Sequence, residues 1–187
     1  MEDKEIVRLF LQRSEAALSE TEIKYSRYCY SIAYGILKND EDASECVNDA
    51  LAAAWNAIPP AEPSVLRTFL GKITRNLSLH ALEKMTAEKR GLGQVPLALS
   101  ELEECIPDTS PNVGEIVEDK AITQVINSFL SKLDIEKRKI FMRRYWYASS
   151  LEEIASDYGM TVSKVKSILF RLRKKLKREL EKEGILL

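Results

Sequence analysis

Lys164, Lys166, Phe170, Arg171 and Lys174 crowd one short stretch of the chain with Ser163 and Ser167 between them. Their side chains can do one kind of chemistry together. Ammonium and guanidinium groups pair with phosphate oxygens, Arg and Lys also reach the O6 and N7 acceptors of guanine, and a phenyl ring offers apolar surface to a thymine methyl. At 100° per residue, Ser163, Ser167, Phe170 and Lys174 fall on one side of a helix, flanked by Lys164, Lys166, Arg171 and Lys177. A phenylalanine has no use on a merely solvated lysine face, so Phe170 marks a contact surface. From Val162 to Lys182 there are nine basic and two acidic residues, enough for several salt-dependent phosphate contacts.

Such a face needs a support that holds it outward. Ser150 and Glu153 have the spacing of a capping box, which predicts a helix that buries Leu151, Ile154 and Ala155 and stops near Tyr158. Gly159 permits a left-handed turn, and Thr161 can cap a second helix. In that helix Val165, Ile168, Leu169, Leu172, Leu176 and Leu180 recur as one buried stripe. Two helices broken at a glycine, the second basic and outward-facing, form a DNA-reading helix-turn-helix.

The chain has 187 residues and a formal net charge of −1. That neutrality conceals a split, with a balance of −8 over residues 1–118 and +7 over residues 119–187. A basic C-terminal half suits nucleic acid, and an acidic N-terminal half suits a basic protein surface. Cys29, Cys46 and Cys105 are odd in number and widely spaced, which indicates neither a disulfide framework nor a metal site. No metal cluster, phosphate loop or nucleophile–histidine pair is apparent, and His80 is the sole histidine, so no catalytic residues and no cofactor are expected. Neither a signal-peptide pattern nor a membrane-length apolar run is present, and a cytoplasmic location is expected.

Helical periodicity dominates, and the expected fold class is all-α, as two small helical domains joined by an acidic linker. After an amphipathic opening at Ile6, Leu9 and Phe10, a helix is predicted from about Ile23 to Leu37. Asp40 is expected to cap the next, whose stripe is Ala43, Cys46, Val47, Ala50, Leu51, Ala54 and Trp55. Asp42, Glu45, Asn48, Asp49 and Ala52 make its mostly acidic outer face. The prolines between Ile58 and Pro63 impose a loop, after which Ser64 can cap a helix that points Leu66, Phe69, Leu70, Ile73, Leu77 and Ala81 inward and Arg67, Lys72, Arg75 and Ser78 away or sideways. Gln94 to Asp119 holds seven acidic residues, no basic one, and three prolines, the composition of a linker. The charge split suggests that this linker can lie against the basic C-terminal half. Beyond it, Ile122, Val125, Ile126, Phe129, Leu130 and Leu133 share a stripe, and Asp134 can cap a further helix through Ile140, Phe141 and Trp146.

Three segments together resemble the sigma-70 family of RNA polymerase sigma factors, in the two-domain extracytoplasmic-function subgroup. Ile36 to Leu51, closing at Ala54 and Trp55, resembles the family's region 2 helix that docks on core polymerase. Phe69 to Leu77 resembles the helix that meets the minus-ten promoter element. Leu133 to Phe141, with Ser150 to Ala155 and Val165 to Ser167, resembles region 4, which reads the minus-thirty-five element. The resemblance implies a region 2 domain over residues 1–90, the acidic linker over 91–118 and a region 4 domain over 119–187.

It also implies roles for residues. Asp42, Glu45, Asn48 and Asp49 would dock on core polymerase, where opposite charge steers association. Lys72, Arg75 and Asn76 would lie near the melted minus-ten strand, with His80 beside them as a structural or phosphate-proximal group. Ile58 to Pro63 lacks an aromatic platform, so any captured base would sit in a shape or backbone pocket rather than a stack. Ser163, Lys164, Lys166, Ser167, Phe170, Arg171 and Lys174 would face the minus-thirty-five element, with Arg173 and Lys177 on phosphate. The implied function is a promoter-specificity subunit whose partners are core RNA polymerase, promoter DNA and an anti-sigma factor. A stand-alone helix-turn-helix regulator is the alternative.

Overall fold

The computed structural model describes residues 1–87, 98, 100–102 and 116–185. Those residues are helical apart from turns and short connections, in agreement with the all-α expectation. The chain divides into two compact units, Met1–Gly91 and Leu92–Leu187.

The first unit contains α1 (Asp3–Leu11), α2 (Ala16–Leu37), α3 (Asp40–Ala57) and α4 (Leu66–Ala87). Ile6, Val7 and Phe10 of α1 are buried, and the Phe10 ring lies 6.1 Å from that of Trp55 on α3. Helix α2 starts at Ala16, a full two turns before the expected Ile23. Its early turns hide their periodicity because Thr21 holds a core position, its hydroxyl donating to the Ala17 carbonyl at 2.7 Å. Lys38, with φ 57°, ends the helix in the left-handed conformation. The cap of α3 is Asn39 and not Asp40, since the Asn39 side chain accepts from the Glu41 and Asp42 amides at 2.8 and 3.1 Å. Asp40 instead opens the helix and accepts from the Tyr30 hydroxyl.

Helix α4 begins at Leu66, one residue later than a Ser64 cap would give. Its inward face differs from the expected stripe. Ser78 is fully buried together with Thr74, and each hydroxyl donates one turn back, Thr74 to Leu70 and Ser78 to Thr74, both at 2.8 Å. A hydroxyl bonded to its own helix needs no water, which is how a polar residue enters the core here. Cys46 Sγ of α3 stands 3.1 Å from Ser78 Oγ, and burial raises the thiol pKa of both Cys46 and Cys29. These are inert core thiols.

Gly71 of α4 lies directly against Tyr28 of α2. A Cβ at this position would lie 2.5 Å from the Tyr28 hydroxyl oxygen and 3.2 Å from the ring carbon bearing it. The Tyr28 ring is held in turn by Arg67, whose guanidinium carbon is 4.7 Å from the ring centroid. Gly71→Ala is therefore expected to destabilise the unit by about 1–3 kcal/mol through overpacking. Adding Tyr28→Phe should recover part of that loss in urea unfolding; a double variant no more stable than Gly71→Ala would show that the clash lies elsewhere.

The second unit contains α5 (Ile116–Ser131), α6 (Ile135–Tyr145), α7 (Leu151–Asp157) and α8 (Val162–Lys182). Its core joins Phe129 of α5, Leu133 of the turn that follows it, Ile140, Phe141 and Tyr145 of α6, Ile154 and Ala155 of α7, and Val165, Leu169, Leu172, Leu176 and Leu180 of α8. Asp134 caps α6 by accepting from the Lys137 amide at 2.9 Å. The Arg138 guanidinium donates to the Leu133 carbonyl at 3.0 Å and the Ser131 carbonyl at 3.2 Å, satisfying acceptors that the end of α5 leaves open. Ala98 is buried in this same core and Leu102 packs against it, so part of the acidic stretch is helical and built into the unit.

Candidate nucleic-acid interface

The turn between α7 and α8 forms as its residues dictate. Ser150 Oγ accepts from the Glu153 amide at 3.1 Å while Glu153 accepts from the Ser150 amide at 2.8 Å, which closes the capping box. Gly159 adopts φ 58°, and Thr161 Oγ1 accepts from the Lys164 amide at 3.2 Å to start α8. These caps set the angle at which α8 leaves its partner. With the leucine stripe buried, Ser163, Lys164, Lys166, Ser167, Phe170, Arg171 and Lys174 all stand exposed on the opposite side. Phe170 keeps 50% of its surface in solvent, and the Lys174 ammonium sits 4.8 Å above its ring. An apolar plate bordered by cations can take a thymine methyl and adjoining phosphates.

Arg173, expected on phosphate, is held by groups of the protein itself. Its guanidinium donates to Glu101 Oε2 at 3.0 Å and to the Tyr145 hydroxyl at 2.7 Å. Glu101 also takes Arg144, a fully buried guanidinium, through Oε1 at 2.6 Å, and accepts from the Tyr145 hydroxyl at 3.0 Å. Arg144 further donates to the Ser149 carbonyl at 3.0 Å. Burial raises the Tyr145 pKa well above that of an ordinary tyrosine, and its hydroxyl stays protonated as a donor. Glu101, Leu151, Lys166, Ser167, Phe170 and Arg173 line a cleft of about 400 Å³ beside the exposed face. Reading charge alone misses Glu101 and Arg144. The one signal for Arg144 is its register, since it shares the buried stripe of Ile140, Phe141 and Tyr145.

In the first unit Lys72, Asn76 and His80 are exposed at four-residue spacing along one edge of α4. Arg75 is half-buried, and that burial lowers its pKa. The expected acidic docking set splits in two. Asp42, Glu45 and Asp49 line a groove of about 580 Å³ with His80, Lys84 and Met85 of α4, while Asn48 borders a second groove with Arg27 and Tyr30 of α2. Among the described residues no cluster of His, Cys, Asp or Glu could hold a metal ion, and no helix is long and apolar enough to cross a membrane.

Comparison with known proteins gives both units a counterpart. Residues 23–87 match the family model for Sigma-70 region 2, and residues 123–176 match that for Sigma-70, region 4. Over 82 residues the chain is 33% identical to the RNA polymerase sigma-E factor of Streptomyces avermitilis. That match covers 44% of this chain and 45% of the relative, so the chain spans less than half of the relative's length. A solved structure described as CnrH in complex with the cytosolic domain of CnrY aligns over 96% of this chain and 97% of its own, with a TM-score of 0.42 and 19% identity.

Proposed function

We propose that this chain, which belongs to the sigma-70 family, directs core RNA polymerase to a specific class of promoters and supports transcription initiation there. The observation that carries the reading is the order of a region 2 and a region 4 match along one chain, the second ending in an exposed basic recognition helix. In this role the protein performs no chemical step of its own. It works in the cytoplasm, with core polymerase and promoter DNA as partners and an anti-sigma factor as the competitor for core.

Asp42, Glu45, Asn48 and Asp49 dock on core polymerase. Lys72, Arg75, Asn76 and His80 attend the minus-ten strand. Ser163, Lys164, Lys166, Ser167, Phe170, Arg171 and Lys174 engage the minus-thirty-five element, with base readout centred on Lys166, Ser167, Phe170 and Arg171. Transcription in vitro from a promoter library with purified core tests the whole. Discrete start sites that depend on the added chain are expected; tight operator binding without core, and no core-dependent transcripts, would point to a stand-alone regulator.

Residue roles separate by a simpler measurement. Arg171→Ala is expected to cost about 1–3 kcal/mol on the preferred site and relax preference at one base pair. Lys174→Ala should weaken binding evenly across sequences and flatten the salt dependence. Equal losses on every duplex for both variants would remove the distinction between reader and phosphate clamp.

A further inference from the structure

We infer that Glu101 is an internal stand-in for a DNA phosphate, holding Arg173 away from the duplex and narrowing the cleft beside the recognition face. The inference rests on the proposed DNA-binding role of α8. Glu101 offers its two oxygens to two guanidiniums, Oε1 to Arg144 at 2.6 Å and Oε2 to Arg173 at 3.0 Å. This is how a backbone phosphate is gripped, by charge-assisted hydrogen bonds from planar forks. The carboxylate belongs to the acidic stretch, anchored from below by buried Ala98 and by Leu102.

The placement matters because the cleft that Glu101 lines is also lined by Lys166, Ser167 and Phe170. A phosphate entering there meets a negative charge and finds Arg173 engaged. Once the segment moves aside, the same cleft presents Arg173 and Lys166 to the phosphate, with Arg144 behind them. The Glu101 side chain is 26% exposed and that of Arg173 14%, so the ion pair sits at the rim, where solvent and a duplex can reach it. The competitor is tethered to the domain it masks, so its local concentration is high whatever the protein concentration. Free chain therefore reads DNA weakly, and a partner that draws the segment away strengthens the grip.

The test uses the full chain and a labelled duplex of random sequence, titrated by fluorescence anisotropy from about 50 to 200 mM salt. Glu101→Gln is expected to tighten binding at least about threefold and to steepen the logarithmic salt dependence by roughly one phosphate contact. Glu152→Gln, the same charge change on the exposed first turn of α7, should give a smaller gain, and Glu101→Gln with Arg173→Gln should give none of the extra gain. Arg173→Gln alone should barely alter binding, because its guanidinium is already occupied, and this variant decides the matter if Glu101→Gln loses its helical circular dichroism. A gain no larger than that of Glu152→Gln, or a loss from Arg173→Gln as large as that from Lys174→Ala, would overturn the inference. If no variant binds the duplex at the lowest salt, the DNA-binding role fails with it.

Discussion

Phe129→Ala is expected to cost the second unit a large share of its stability, whereas Phe170→Ala should leave its unfolding nearly unchanged and weaken its hold on DNA. The two substitutions delete the same ring. Phe129 is 1% exposed and packs edge-on against Phe141 with centroids 5.6 Å apart, so removing it forfeits burial and leaves a cavity, at a cost of about 3–5 kcal/mol. Small domains have about 5–15 kcal/mol in total. Phe170 is half in solvent, and its removal should shift stability by no more than about 0.5 kcal/mol. Urea unfolding followed with duplex titration separates the two effects. A Phe170→Ala protein that unfolds as early as Phe129→Ala would mean that the ring braces the fold and reads nothing.

The second large effect is on docking. Glu45→Lys with Asp49→Lys reverses two charges on the groove-facing side of α3, and affinity for core polymerase should fall about a hundredfold or more, since like-charge juxtaposition at an interface costs several kcal/mol. These positions are better suited than Asp42. Asp42 lies in the first turn, where a negative charge also favours the helix dipole by about 0.3–1 kcal/mol, so its reversal would mix folding with binding. Random-duplex binding by the second unit should be untouched. Unchanged affinity for core, measured by competition with a labelled parent chain, would move the docking surface elsewhere.

Much of this was legible in the chain itself, because caps and stripes are local. Ser150 with Glu153, Gly159, Thr161 and the leucines of α8 announce the helix-turn-helix, and the structure forms each contact they imply. The failures share a cause. Thr21, Thr74, Ser78 and Arg144 are polar residues whose partners lie within their own helix or on a distant segment, so hydropathy reads them as surface. Glu101 is the extreme case, a carboxylate in an acidic, proline-bearing stretch whose meaning appears only when Arg144 and Arg173 are brought to it from two other helices. The start of α2 is hidden in the same way, behind a threonine in the core.

Helix α8 runs unbroken from Val162 to Lys182, about 30 Å at the usual rise per residue. Its first turn follows Thr161, while its far end is seated by Leu176 and Leu180 and by Glu179, which pairs at 3.6 Å with Lys132, just past the end of α5. Val165, Leu169 and Leu172 seat the helix in the same core along the way, so the exposed face moves only together with the buried stripe. A tilt of roughly 5° about Leu176 and Leu180 carries the start of the helix sideways by roughly 2 Å, more than half the step between successive base pairs. In the proposed role, promoter preference can thus be retuned by repacking core leucines, an adjustment open to evolution without altering an exposed residue of α8.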